Sequence, residues 1–190
     1  MTARFRLPIP IVVTGPAGSG KSKLTKAIVE RGHCRSVNVG TLMEQELLRQ
    51  EIHVNHRRDI GRLYLQRIGE KAYIDLVVES LRPGVVVDGV RLAVALDEAR
   101  LRHKAFFHVA RAERPGQPIA PSEPFAHDVR TMQKRADVVV RWRPTTADLD
   151  GEAARVLAAA RLEGASAGVL PRELQRRDVM SSAHPASRSV

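Results

Sequence analysis

Apolar residues fall along this chain in two alternating rhythms: short, valine-rich runs, and longer stretches in which they return every three or four positions. The segments IPIVVT (residues 9–14), CRSVNVG (34–40), PGVVVDGVR (83–91), KAFFHVA (104–110) and ADVVVRW (136–142) read as five strands. The third is an all-apolar run of the kind found at the centre of a parallel sheet. Between them a helix begins near Lys21 and is ended by Gly32, and TLMEQELLRQE (41–51) shows a helical pattern. Residues 53–80 carry no strand signal. There Ile60, Leu63, Tyr64 and Ile68, then Tyr73, Ile74, Val77 and Val78, recur at helical spacing on either side of Gly69, which predicts two more helices. Another helix covers 93–102, and the alanine-rich TADLDGEAARVLAAARLEG (146–164) closes the series. Strands alternating with helices predict an α/β fold: five mostly parallel strands with helices on both faces, and ligands at the carboxyl ends of the strands. Residues 112–126 hold four prolines and no rhythm, which predicts a loop. From Ala165 onward Ser, Ala, Pro and Arg dominate, with one helix-compatible piece at 172–179, and a loosely held tail is expected.

The first strand-to-helix turn, GPAGSGKS, packs almost nothing and therefore asks for another purpose. Gly15, Pro16, Ala17, Gly18, Ser19, Gly20, Lys21 and Ser22 fit G-x-x-x-x-G-K-[ST] between a strand and a helix, the context that motif requires. Successive N–H groups of such a loop form a nest for an anion, and the positive end of the helix dipole adds to it. A nucleotide's phosphates suit it, with Lys21 reaching the β- and γ-phosphates and Ser22 offering its hydroxyl to Mg²⁺. A second cluster follows the third strand. Asp88 ends a buried run next to a loop that opens toward the phosphates, where a carboxylate can hold a water of the Mg²⁺ shell. Arg91, three residues on, can turn its planar fork into the same mouth toward a second phosphate.

Composition narrows the setting. A chain of 190 residues with 43% hydrophobic content suits one domain with an ordinary core. Cys34 is the only cysteine, which excludes an intrachain disulfide and a multi-cysteine zinc site and fits a reducing cytoplasm. The opening MTARFRLPIPIVV has two arginines before an apolar run, but the run flows into the phosphate loop and is too short to span a bilayer. No membrane partner is expected. The formal charge of +10 invites nucleic acid, yet residues 102–143 alone hold nine Lys or Arg against four Asp or Glu, about half of the excess. A cleft for a nucleotide triphosphate and a second phosphorylated molecule needs such a concentration as well. His53, His56, His103 and His108 have no companion acidic cluster and read as packed or solvated. Phe106 and Phe107 read as core, which with 4% aromatic content leaves no stacking platform for single strands.

The order of GPAGSGKS, SVNVGTLMEQELLR, GEKAYIDLVVESL and VVVDGVRLAVALDEARL resembles the nucleoside monophosphate kinase superfamily, adenylate kinase and the phage-type deoxynucleoside monophosphate kinases included. RADVVVRWRPTTADLDGEAARVL is similar to the close of those kinases and of dephospho-coenzyme A kinases, so the likeness runs from Ile9 to Leu162. It implies a three-layer P-loop NTPase fold over 1–164, with a helical acceptor-binding insert at 41–82, a lid-like segment at 112–135 and a basic tail at 165–190. It further implies that Gly15 to Ser22 hold ATP, that Arg91 of the DGxR element holds the acceptor's phosphate, and that Gly40 starts the helix covering the acceptor. The lid would supply a catalytic arginine from Arg114, Arg130 and Arg135, with Arg130 the representative choice.

One departure matters. Adenylate kinases read G-D-x-[LI]-R after the second strand, whereas Gly40 is followed here by Thr41, Leu42, Met43 and Glu44, an acid in place of a phosphate clamp. Arg49, or Arg57 with Arg58, can substitute from the insert. The expectation is an ATP- and Mg²⁺-dependent transfer to a small nucleotide-like acceptor, a nucleoside monophosphate. Two alternatives stay open: a hydroxyl acceptor, dephospho-coenzyme A-like or within nucleic acid, with Glu44 or Asp88 as base, and a P-loop module contacting nucleic acid without metabolic turnover.

Overall fold

The computed structural model describes residues 7–116, 119, 125–141 and 146–166. Thirteen segments follow one another: β1 (Ile11–Thr14), α1 (Lys21–Gly32), β2 (Arg35–Asn38), α2 (Val39–Arg49), a 3₁₀ turn (Arg57–Asp59), α3 (Ile60–Arg67), α4 (Glu70–Ser80), β3 (Val85–Asp88), α5 (Ala93–Leu101), β4 (Phe107–Arg111), α6 (Ala126–Lys134), β5 (Val138–Val140) and α7 (Thr146–Ser166). The strands form one sheet in the order β2-β3-β1-β4-β5. Every pairing is parallel, with Ile11 opposite both Val86 and Phe107.

The two-residue period of a strand divides this sheet between two cores. Ile11, Val13, Val86 and Val109 point to one face and pack with Leu24 and Ile28 of α1 and Val156, Leu157 and Ala160 of α7. Val12 and Val87 point to the other, under Met43 and Leu47 of α2, Tyr64 of α3, Tyr73 and Val77 of α4, Leu96 of α5 and Met132 of α6. A strand apolar at every position is the sequence expression of this double burial.

Several boundaries differ from the pattern-based expectation, each for a local reason. The second strand ends at Asn38, not Gly40, because the Asn38 side chain caps α2 by accepting from the Thr41 N–H at 3.0 Å. The first strand starts at Ile11, although the Pro10 carbonyl still accepts from Phe107 N. The third is confined to Val85–Asp88 and the fifth to Val138–Val140, while Trp142 lies outside the described residues. Gly32 is the last residue of α1, and His33 (φ 49°) takes the left-handed turn after it. Gly32 is small for another reason: a Cβ there would lie 2.9 Å from Leu157 Cδ2, so α7 crosses α1 at that point. Likewise a Cβ on Gly164 would lie 2.4 Å from Pro8 Cγ, so the end of α7 rests on the stretch before β1.

The chain after the proline-rich stretch forms a helix that the pattern did not predict. This is α6, whose Ala126, Val129 and Met132 recur at three-residue spacing and enter the larger core beside Ile119. Three apolar positions in nine gave too short a rhythm to separate from the loop before it. Pro118, Pro121, Pro124 and the tail from residue 167 lie outside the described residues.

Candidate active site

Where β1 ends, the chain must wrap tightly and still show its N–H groups to the outside. Gly15 sits at φ +140°, and a Cβ there would lie 2.6 Å from the Arg111 carbonyl oxygen, so the loop is pressed onto the end of β4. Gly20 (φ +84°) precedes α1 in the left-handed region and offers no side-chain cap, so no side-chain acceptor from that residue occupies the first-turn N–H groups. Lys21 Nζ donates to the Pro16 carbonyl at 2.6 Å, folding over the loop it serves. Ser22, beside it at the start of α1, is exposed. Beneath the loop lies a residue that the apolar pattern did not announce: Arg111, 2% exposed, whose Nε donates to the Ser19 carbonyl at 3.0 Å.

Asp88 ends β3 beside Val13 and is itself buried. Its carboxylate accepts from Asn38 Nδ2 at 2.6 Å, so the residue that caps α2 also orients the acid. Burial pushes the Asp88 pKa up, against the opposing pull of Asn38, of the Lys21 charge and of the nearby Thr25 hydroxyl. That hydroxyl does not close to hydrogen-bond geometry. Ser22 and Asp88 together offer a hydroxyl and a carboxylate, oxygen donors of the kind a hard cation takes. Among the described residues no three His, Cys, Asp or Glu gather, so a cation here would lean on phosphate oxygens and water for the rest of its shell.

Arg91 is fixed through its backbone, its N–H donating to Tyr73 Oη at 2.7 Å from α4. Tyr73 is fully sequestered, and burial pushes its phenol up to about 12, so it stays neutral and keeps accepting that bond. The Arg91 guanidinium forms no hydrogen bond or ion pair among the described residues. Its backbone is positioned while its charge remains uncommitted.

The remaining candidates lie at varied distances from this mouth. Gly40 is in the first turn of α2, with a Cβ position 3.1 Å from Asn38 Oδ1. Glu44, one turn on, is half-buried and faces Arg57 Nη2 at 3.8 Å, so the acid in the clamp position is met by a cation from the insert. Arg49 is at the far end of α2, roughly 13 Å of helix rise from Gly40, and pairs with Glu46 at 3.0 Å. Arg58 is exposed in the 3₁₀ turn. Arg130 of α6 donates to the Ile119 carbonyl at 3.1 Å, within its own segment, and Arg135 pairs with Asp97 of α5 at 2.7 Å.

Two residues of this arrangement escaped the sequence pattern, Asn38 and Arg111. For Asn38 a signal existed, since Asn at a strand-to-helix junction is among the favoured N-cap residues. For Arg111 the signal was a lone cation closing an apolar strand run, easily taken as the first residue of a solvated loop.

This fold can now be set against known ones. A gluconokinase from Sinorhizobium meliloti superposes with a TM-score of 0.51 at 19% identity, covering 82% of this chain and 94% of that one. Shikimate kinases from Aquifex aeolicus and Bacteroides thetaiotaomicron both give 0.52 at 16% identity, covering 81% and 80% of this chain and 99% and 97% of theirs. The fold is that of the P-loop kinases. By sequence, a UPF0200 protein of Thermococcus kodakarensis is 33% identical over 105 residues, 50% of this chain and 54% of its own length. A UPF0200 protein of Thermococcus onnurineus matches to the same extent. The chain thus spans about half the length of the curated relatives it matches. No protein-family model matches it. Among the described residues no helix of this P-loop kinase fold is long and apolar enough to cross a membrane.

Proposed function

We propose that this chain is an ATP-dependent phosphotransferase whose acceptor is a small nucleotide-like molecule carrying its own phosphate, a nucleoside monophosphate. The observation that carries the acceptor assignment is Arg91: three residues beyond the buried Asp88, its backbone held by Tyr73, its guanidinium unpaired among the described residues. A fork so placed suits a dianionic phosphate. The Glu44–Arg57 pair supports the same reading, because Arg57 offsets the acid that would otherwise repel that phosphate.

In this reading the loop N–H groups and Lys21 bind the phosphates of ATP, and Arg91 aligns the acceptor for in-line attack. Ser22 and Asp88 would hold Mg²⁺, which would supply charge neutralisation on the phosphate oxygens. Asn38 keeps the Asp88 carboxylate turned to the mouth. A phosphate acceptor needs no proton removed, so the chain has to position and neutralise rather than deprotonate.

A second reading has one specific observation in its favour. Burial raises the Asp88 pKa, as suits a base, and a hydroxyl acceptor would need one. Gluconokinase and shikimate kinase, by their names, act on hydroxylated acids. A thermal-shift screen of nucleoside mono-, di- and triphosphates against sugar acids and dephospho-coenzyme A separates the two. We expect ATP and one nucleoside monophosphate to stabilise the chain, by roughly 2.7 kcal/mol at 100 times Kd. Stabilisation by a non-phosphorylated hydroxy acid, with none by any monophosphate, would favour the second reading.

A further inference from the structure

We propose that Arg111 is the positioning residue of the phosphate loop: from beneath, its guanidinium holds the Ser19 carbonyl inward and so turns the Gly20 N–H outward to the bound phosphates. The inference rests on the nucleotide-binding half of the reading above and adds to it the group that shapes the site.

Three observations converge on it. Arg111 is 2% exposed at the end of β4, and both acceptors of its fork are backbone carbonyls, Ser19 at 3.0 Å through Nε and Arg141 at 2.8 Å through Nη1. The peptide joining Ser19 to Gly20 is trans and planar, so its C=O and N–H point in opposite directions. Fixing the oxygen on Arg111 therefore aims the N–H of Gly20 away from it, toward the open side of the loop. Second, the loop is moulded around this residue. The Cβ position of Gly15 falls 2.6 Å from the Arg111 carbonyl oxygen and 3.0 Å from Arg111 Cβ, and that of Gly20 lies 3.9 Å from Nε.

Third, the charge is unbalanced. Arg111 forms no ion pair among the described residues, and Glu152 of α7 acts on it only through space. A buried cation with no carboxylate in contact is costly, and an anion seated nearby lowers that cost. The ligand side of the loop is the open side, and an anion seated there would lie across one peptide plane from the guanidinium. The Arg111 fork also ties the loop to the end of β5 at Arg141, so loop shape and sheet edge are set together.

The test measures binding of two probes, MgATP and inorganic tripolyphosphate, by calorimetry below the unfolding transition of every variant, with circular dichroism as the check on fold. Arg111→Met should weaken both probes by the same factor, about 100-fold, and Arg111→Lys, which keeps the charge but can reach only one carbonyl, by about tenfold. Either variant binding within about threefold of wild type overturns the proposal. So does a loss confined to MgATP, which would place Arg111 at the nucleoside end. Should Arg111→Met fail to fold, Arg111→Lys decides alone on the same criterion. A wild-type chain that binds neither probe removes the nucleotide reading and this inference together. A wild type that binds both, with variants unchanged, removes the inference only.

Discussion

The two sides of the mouth are held by different means. On the phosphate-loop side, the backbone itself is fastened: the buried Arg111 holds the Ser19 carbonyl, the half-buried Lys21 the Pro16 carbonyl, and β4 presses against Gly15. On the insert side, ion pairs between largely exposed side chains do the fastening, Glu44 with Arg57 and Glu46 with Arg49. Exposed pairs of that kind are worth about 0–1 kcal/mol and rearrange easily. In the proposed reading the rigid wall is the loop, suited to a constant ligand, and the adjustable wall is the set of exposed side chains on the insert, whose helices are themselves packed in the larger core. Arg91 stands between them, with a fixed backbone and a guanidinium that has no hydrogen bond or ion pair among the described residues.

The contrast can be broken in four places. The largest effect is expected from Lys21→Ala, which should lower kcat by about 10³-fold or more while leaving the fold intact, because the lysine folds over the loop and donates to the Pro16 carbonyl from outside the core. Turnover within tenfold of wild type would show that the rigid wall is not where phosphate is transferred. Next, Arg91→Ala should raise the acceptor KM by about 10- to 100-fold and lower kcat, with the KM for ATP within about threefold. Glu44→Gln, by contrast, should be mild, and steady-state kinetics on both variants ranks them. If Glu44→Gln proves the more damaging, the adjustable wall is providing a base, and the acceptor is a hydroxyl.

The third place lies behind the rigid wall. His108 is wholly buried on β4, bonded through Nε2 to Thr14 Oγ1 at 2.8 Å, and burial, aided by Arg100, pushes its imidazole down to about 4 from 6.5. Between these values the unfolded chain takes up a proton that the folded chain refuses. Stability should therefore fall as the pH drops from 6.5 to 4, by about 3 kcal/mol from this group, and level off below. Urea unfolding across that range should give a shallower fall for His108→Gln; an unchanged slope would mean other groups carry it. The smallest effect is expected at Arg49. With its side chain 74% exposed and paired only one turn away, Arg49→Ala should change stability by about 0.5 kcal/mol or less and the acceptor KM by less than about twofold. A clear rise in KM would bring the far end of α2 into the acceptor site.

The same division explains what could be read from the chain before its structure. The glycine-rich turn between β1 and α1 was legible because its requirement is backbone geometry, and Gly15 and Gly20 both sit at positive φ. The double-faced sheet was legible because Val12, Val13, Val86 and Val87 are apolar at successive positions. Asn38 and Arg111 were not, since each acts on groups far along the chain, Asp88 and Ser19, and no periodicity records such a partner. The helix α6 was hidden for a different reason, its apolar face being only three residues long beside a proline-rich stretch. Arg130 lies in the segment where a lid arginine is expected and donates through Nη2 to the Ile119 carbonyl.

The position of β1 at the middle of the sheet has a consequence for how the molecule comes into being. Ile11 needs Val86 on one side and Phe107 on the other, and the core beneath it is roofed by Val156, Leu157 and Ala160 of α7. Gly164, on the last turns of that helix, seats against Pro8. During synthesis β1 precedes both strands that flank it, so its apolar residues complete their burial only after β4 and α7 have been made, while α2 to α5 can already gather beside it. The glycine-rich loop, hung from β1 and wrapped on β4, is then among the last parts to take shape, so a nascent chain can be largely helical while this loop is still unformed.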